Sequence, residues 1–254
     1  MSNVLYNPRE YGFSADIDEP YFLFADDVQL KAHADYRAAK AGDQVAALNL
    51  VWDLTVDFLI DTVRKLPPNV IYVAPFAREA TGDNAIPQVL AAICAEIAGS
   101  TVDNEIVQVT RVFHTGADPM ERLITRAQFE GEALRGKNYV LVDDVVNMGG
   151  TLAELADYIQ KLGGIVIAVI TIVNAGRIKG LSPDPKVIKK LKERYQHEIY
   201  NIFGIKPSAL TANEAQYLIG FRTVDEIRGR LIKAREEIHR RLRSKGIFYE
   251  DEGQ

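Results

Sequence analysis

Apolar residues recur every three to four positions through much of this chain, which is the spacing of amphipathic helices. The segments with this spacing are residues 28–40, 45–63, 86–98, 152–162, 185–203 and 223–244. Shorter, almost continuous apolar runs lie between some of these helices and predict strands that are buried on both faces of a sheet. These runs are residues 70–74, 139–142 and 165–173, and an alternating pattern over 105–112 predicts one more strand.

The order of these elements divides the chain into three parts. Residues 1–66 form a helical N-terminal extension, residues 67–176 an α/β core, and residues 177–254 a helical C-terminal extension, in which Thr211 and Glu214 have capping-box spacing. Strands alternate with helices in the core, which predicts a parallel sheet flanked by helices. Because ligands of such sheets bind beyond the carboxyl ends of the strands, we expect a site at that edge.

The most specific segment of the core is residues 139–152. An apolar strand ends in Asp143 and Asp144, and a loop with Gly149, Gly150 and Thr151 then leads directly into a helix. The free N–H groups of such a loop and helix N-terminus bind phosphate. Carboxylates at the strand end accept hydrogen bonds from sugar hydroxyls, so the segment offers partners for both ends of a ribose 5-phosphate. The alternative interpretation is a solvated strand end without a ligand.

This segment resembles the phosphoribosyl-pyrophosphate (PRPP) motif of type I phosphoribosyltransferases. That motif has a hydrophobic strand, two acids, four loop residues, then glycine or serine, a variable residue and threonine. Two positions depart from it: Asn147 stands where aspartate, threonine or alanine is common, and Met148 stands where threonine or serine is usual. The order of core elements matches the family over about residues 70–175, and the loops weakly resemble its competence-associated branch.

The resemblance implies an α/β fold, a type I phosphoribosyltransferase-like parallel sheet flanked by helices with helical N- and C-terminal extensions. It implies that Asp143 and Asp144 hold the ribose hydroxyls of PRPP and contact Mg2+ indirectly, through PRPP. The residues that it assigns to PRPP binding are Asp143, Asp144, Val145, Val146, Asn147, Met148, Gly149, Gly150 and Thr151.

The resemblance also places further candidates in the loops. Arg78 falls in the loop that holds pyrophosphate in this family, and Arg126 falls in the segment between Arg111 and Glu130, where the family has a mobile loop, so both join the acidic pair as catalytic candidates. For each arginine the alternative is a solvated or salt-bridged surface residue. Asn147 and Asn174 are the candidates for contact with the base. Asn147 can donate and accept hydrogen bonds, and its alternative is a turn asparagine.

The implied function is a Mg-dependent transfer of the 5-phosphoribosyl group from PRPP to a nucleobase or related nitrogen heterocycle, with release of pyrophosphate. An alternative is a non-catalytic regulator that senses PRPP or a nucleotide, with the basic helix 223–244 on nucleic acid; Met148 and Asn147 favour it slightly. A chain like PRPP synthetase is disfavoured because we find no ATP-binding signal. A homodimer is expected because the family commonly forms one.

Composition narrows these classes. The length of 254 residues is typical of one or two domains. A formal net charge of −5 does not by itself favour nucleic-acid binding. The longest apolar run is too short to cross a bilayer, and the N-terminus has no signal-peptide pattern, so we expect a cytoplasmic protein without a membrane partner. The single cysteine, Cys94, lies in an apolar helical run and is interpreted as a buried structural thiol.

Overall fold

A computed structural model describes residues 7–76, 84–110 and 118–244 of the chain. Its strands are β1 (Tyr21–Phe24), β2 (Ile71–Val73), β3 (Thr101–Asp103), β4 (Val107–Gln108), β5 (Phe129–Glu130), β6 (Asn138–Val146) and β7 (Ile165–Asn174). Its helices are α1 (Val28–Ala32), α2 (Tyr36–Lys40), α3 (Gln44–Val63), α4 (Ile86–Ala98), α5 (Pro119–Ile124), α6 (Gly150–Lys161), α7 (Pro185–Tyr195), α8 (Glu198–Phe203), α9 (Ala212–Ile219) and α10 (Val224–Ser244).

The core is a five-stranded sheet in the order β1-β7-β6-β2-β3, and each neighbouring pair in it is parallel. Helices lie on both faces of this sheet. Val140 and Val142 of β6 pack into the same cluster as α3 and α4, whereas Tyr139 and Leu141 pack into a second cluster with α6. This alternation follows from the two-residue period of a strand. The predicted α/β class, a parallel sheet flanked by helices, is confirmed.

The structure corrects the strand that was predicted over residues 105–112. The edge strand of the parallel sheet is β3, and the short β4 pairs antiparallel with β5 in a separate ribbon. The reason is a turn after β3, in which the Asp103 side chain accepts hydrogen bonds from the N–H groups of Glu105 (2.9 Å) and Ile106 (3.0 Å). This side chain competes with a continued sheet ladder, and the chain leaves the sheet there.

The N-terminal part is helical as predicted, but it also supplies a strand. Strand β1 lies beside β7 at the edge of the core sheet, so this part of the chain joins the core rather than only extending it. Helix α3 begins after Asp43, whose carboxylate accepts hydrogen bonds from the N–H groups of Val45 (2.9 Å) and Ala46 (3.0 Å). The division of the chain at residues 66 and 176 stays a prediction.

The C-terminal part is also helical, and its helices build a third buried cluster. Leu191, Ile199 and Leu218 belong to it, and Met148 from the loop after β6 packs against it. The capping box at the start of α9 is confirmed, since Thr211 and Glu214 exchange both of its hydrogen bonds. Within the described ranges, we find no helix with the length and apolar character needed to cross a membrane.

Candidate functional site

The acidic pair lies near the carboxyl end of β6, at the predicted edge of the sheet. Asp143 is half-buried, whereas Asp144 is only 4% exposed. One oxygen of Asp144, Oδ2, accepts hydrogen bonds from Lys40 Nζ (3.0 Å) and from Asn84 Nδ2 (2.9 Å). The N–H of Asp144 donates to Asp143 Oδ1 at 2.8 Å. The two acids therefore differ: Asp144 is tied to other parts of the protein, and Asp143 is the more accessible carboxylate.

The charges of this cluster act on one another. Burial, followed by the charge of Asp144, raises the pKa of Asp143 well above its usual range, while the Lys40 ammonium opposes that rise. Burial lowers the pKa of Lys40, but the ion pair with Asp144 outweighs it, and the net shift is upward. Lys40 is therefore charged at neutral pH and compensates one of two adjacent carboxylates.

The loop after the acidic pair turns into α6 through a glycine. Gly149 has a φ of 78°, in the left-handed region that glycine adopts without steric strain. Gly149 is the N-cap of α6 and, as a glycine, has no side chain that could accept hydrogen bonds from the first N–H groups of the helix. A phosphate placed there would meet these N–H groups and the positive end of the helix dipole. The predicted PRPP-binding residues thus run without a break from the acids to the helix.

Met148 takes a structural place in this loop. Its side chain is part of the apolar packing around the C-terminal cluster, which includes Leu210 and Leu218. A threonine or serine at this position would offer a hydroxyl in place of that apolar contact. Met148 therefore makes an apolar contact with the C-terminal cluster at a position where the family motif usually has a hydroxyl.

The structure contradicts a catalytic role for Arg126. Its side chain is 4% exposed and pairs with both carboxylate oxygens of Glu154, each at 2.7 Å. The same guanidinium donates to the carbonyl oxygens of Phe203 (3.1 Å) and Asn7 (3.0 Å). A buried, bidentate arginine with these partners joins the two chain extensions to α6, and it is not free to reach over a leaving group. The other arginine candidate, Arg78, lies outside the described residues.

The two asparagines that were predicted to contact the base differ in the structure. Asn147 is exposed on the loop, where its amide is accessible. Asn174 is 1% exposed; its Nδ2 donates to the carbonyl of Lys179 (2.9 Å), and its Oδ1 accepts the N–H of Gly176 (3.2 Å). The expectation of a base contact is therefore corrected for Asn174, because both ends of its amide shape the loop that follows β7.

Sequence reasoning missed the residues that hold the site from outside the motif. Lys40 is 104 positions from its partner Asp144, and Arg9, which is fully buried, pairs with Glu154 and Glu214 behind the loop. No periodicity links such distant positions. The available signals were partial: the capping-box spacing identified Glu214, and the acid Glu154 occurs within the apolar pattern of α6, on a face that the structure buries.

Comparison with known proteins shows which family the core of this chain resembles. The family model of the phosphoribosyl transferase domain matches residues 87–207, which run from α4 past α8. Protein TraN of Escherichia coli is 37% identical over 219 residues, a match that covers 82% of this chain and 48% of that protein. An uncharacterized protein of Haemophilus influenzae is 36% identical over 132 residues, covering 51% of this chain and 30% of that protein.

A named enzyme also shows similarity over part of the chain. Adenine phosphoribosyltransferase of Chlorobaculum parvum is 30% identical over 101 residues, which cover 40% of this chain and 48% of the enzyme. The chain thus spans half or less of the length of these relatives. The matched residues contain the acidic pair, the glycine loop and α6. They also include β6 and β7 of the parallel sheet that the family resemblance implied. Over residues 87–207, the chain matches the phosphoribosyl transferase domain family.

Proposed function

We propose that this chain is a magnesium-dependent phosphoribosyltransferase, which transfers the 5-phosphoribosyl group of PRPP to a nucleobase or related nitrogen heterocycle. One observation carries the proposal. A strand that ends in Asp143 and Asp144 is joined, by one glycine loop, to an uncapped helix N-terminus inside the matched domain. These groups fit the two ends of a ribose 5-phosphate, namely its hydroxyls and its phosphate.

This reaction depends on the positioning of the substrates and on electrostatic stabilisation more than on covalent catalysis. The bond from C1′ of the ribose to pyrophosphate breaks, and pyrophosphate leaves with the bonding electrons. A ring nitrogen of the acceptor forms the new bond to C1′, and a proton on that nitrogen passes to the pyrophosphate or to water. Positive charge grows on the ribose during this exchange. Asp143, the more accessible acid, would accept hydrogen bonds from the ribose hydroxyls and place negative potential beside that charge. The N–H groups from Val146 to Thr151 would hold the 5′-phosphate, and Asn147 would contact an edge of the base.

The acidic pair fits a magnesium ion that is held mainly by the ligand. Magnesium prefers oxygen donors and commonly takes only one or two protein carboxylates, with substrate phosphates and water as its other ligands. Asp143 would contact such an ion through the ribose hydroxyls of PRPP, whereas Oδ2 of Asp144 already accepts from Lys40 and Asn84. When bound, the ion would neutralise the pyrophosphate and favour its departure. The other described acidic cluster, Asp118 with Glu121 and Glu237, is already paired with arginines of α10.

Calorimetric titration of PRPP with magnesium into the wild-type protein and the double variant Asp143→Asn/Asp144→Asn tests the site. Binding to the wild type and its loss in the variant would support the proposal, and a panel of bases scored by pyrophosphate release would then identify the acceptor. Equal affinity in both proteins would refute the site assignment. The homodimer is a proposal as well, which light scattering of the same samples measures.

A second candidate is a regulator that binds PRPP or a nucleotide without efficient transfer. The observation that favours it is the packing of Met148 into the C-terminal cluster, which leaves the loop without a hydroxyl donor at that position. A role on nucleic acid has less support, because Arg228, Arg230 and Arg241 of α10 form ion pairs within the protein. PRPP binding without turnover on any base, together with salt-sensitive nucleic-acid binding that responds to PRPP, would favour this candidate.

A further inference from the structure

Three carbonyl groups of the phosphate-binding loop, residues 146–151, have partners in other parts of the protein. The carbonyl of Val146 accepts the N–H of Ala175 at 2.7 Å. The carbonyl of Met148 accepts the hydroxyl of Thr211 at 2.5 Å, and Arg9 Nη1 lies 3.4 Å from the carbonyl of Gly150. Tethered carbonyls fix the rotation of the peptide groups, and hence the direction of the N–H groups that would meet a phosphate.

The hydroxyl of Thr211 is held in a single hydrogen-bonding arrangement. As the N-cap of α9, its Oγ1 accepts the N–H of Glu214 at 3.1 Å. A hydroxyl has one proton, and here that proton points to the carbonyl of Met148. The methyl group of Thr211 also lies close to the loop, since a Cβ built on Gly149 would be 3.4 Å from its Cγ2. Thr211 therefore bonds to the loop through its hydroxyl, and its methyl group fills the space that a side chain at Gly149 would enter.

Glu214 connects Thr211 to the other end of the chain. Its Oε2 accepts the N–H of Thr211 at 2.8 Å and pairs with the guanidinium of Arg9. Arg9 is fully buried, and it also lies 3.3 Å from Glu154 of α6. The charges of these four buried residues balance, with Arg9 and Arg126 positive and Glu154 and Glu214 negative. Buried charges that are paired and hydrogen-bonded hold their positions, so the set forms a stiff support behind the loop.

We propose that Thr211 is a positioning residue for the phosphate-binding loop, and that Arg9 and Glu214 hold it in place. This inference rests on the proposed function, in which the loop binds the 5′-phosphate of the ligand. Thr211, Glu214 and Arg9 all lie outside residues 87–207, so the two extensions of the chain tune a site that belongs to the family domain.

The test compares ligands with and without a 5′-phosphate. Thr211→Val keeps the size of the side chain but removes the proton that Met148 accepts. We expect the Kd for ribose 5-phosphate and for PRPP with magnesium to rise about tenfold. The Kd for pyrophosphate with magnesium should stay within about twofold, because pyrophosphate does not use this loop. Thr211→Ser, which restores the hydroxyl, should restore the affinity.

Thr223→Val is the matched control, because Thr223 also caps a helix. Its Oγ1 accepts the N–H of Glu226 at 3.2 Å on the exposed start of α10. This variant loses a cap without touching the loop, so its ligand affinities should equal those of the wild type. If Thr211→Val does not fold, Thr211→Ala removes the same proton from a smaller side chain, and Thr223→Ala is its control.

The outcomes separate the inference from the proposed function. Wild-type affinity for ribose 5-phosphate in Thr211→Val, or in Thr211→Ala, would overturn the positioning role. An equal loss for pyrophosphate would also overturn it, since the effect would then be a general disturbance of the fold. If the wild-type protein binds neither PRPP nor ribose 5-phosphate, the proposed function itself fails, whatever the variants do.

Discussion

Replacement of Arg126 by methionine should destabilise the protein strongly without acting on chemistry directly. Methionine keeps much of the length of the side chain but removes the charge that both oxygens of Glu154 accept. Removal of one partner from a buried ion pair costs about 3–5 kcal/mol, because the other charge stays in a low-dielectric site. Two hydrogen bonds to main-chain carbonyls are lost as well, at about 1 kcal/mol each.

One feature of the network reduces this loss. Glu154 keeps a second partner, because Arg9 Nη1 lies 3.3 Å from its Oε1. We therefore expect the free energy of unfolding to fall by about 3–5 kcal/mol in all, rather than by the full sum. With a slope of about 3 kcal/mol per molar urea, the unfolding midpoint should fall by about 1–2 M. Arg126→Lys should recover only part of the loss, since an ammonium cannot reproduce the two-pronged contact.

Urea unfolding followed by circular dichroism measures this effect, with Arg228→Met as the matched control. Arg228 pairs with Glu198 at 2.8 Å, but its side chain is 53% exposed, so its loss should cost no more than about 1 kcal/mol. An Arg126→Met protein with the wild-type midpoint would refute the structural role. If that stable variant also released pyrophosphate more slowly, the catalytic role that the sequence suggested would be restored.

Three further predictions concern the site and the core. The pKa of Asp143 is higher in the folded than in the unfolded protein, so stability falls as pH rises from the unfolded pKa through the folded pKa. Asp143→Asn removes this loss and should raise the urea midpoint of the ligand-free protein near neutral pH. An unchanged or lower midpoint would contradict the prediction. Lys40→Met should destabilise the protein by about 1–2 kcal/mol, discounted for a side chain that is 37% exposed, and more than Lys31→Met, whose ion pair is exposed; equal urea midpoints would contradict this. Burial raises the pKa of Cys94 to about 12, so a thiol reagent should leave it unmodified at about pH 8 until urea unfolds the chain, and rapid labelling of the folded protein would contradict that.

Much of the secondary structure could be predicted because its signals are local. The spacing of apolar residues predicted α4 at its observed bounds of Ile86 and Ala98, and it predicted α10 within one residue at its start. Thr211 caps the helix that follows it, as its spacing from Glu214 indicated. Strand β1 was missed because its four residues are half-buried at the sheet edge, where no clear alternation distinguishes them from an irregular segment.

The candidate site also has one part that the local sequence predicted and one part that it did not. The acids, the glycine turn and the start of α6 are consecutive in the chain, so their order alone predicted a phosphate loop beside a pair of carboxylates. The partners of these groups are not consecutive, and the predictions for Arg126 and Asn174 failed for that reason. Whether an arginine or an asparagine is open to a ligand depends on which buried groups surround it, and those groups come from distant segments.

The sequence by itself determined the family motif, the alternation of strands and helices, and the helix caps, because each depends on residues within a few positions of one another. Only the tertiary structure decided that Lys40 pairs with Asp144, and that Arg9 and Glu214 meet behind the loop. An ion pair requires two side chains within a few ångströms, and only the packing of the extensions on the core brings these residues together. A charged side chain on an isolated helix is solvated by water, but burial without a partner raises its free energy strongly. The fold therefore decides which opposite charge it pairs with.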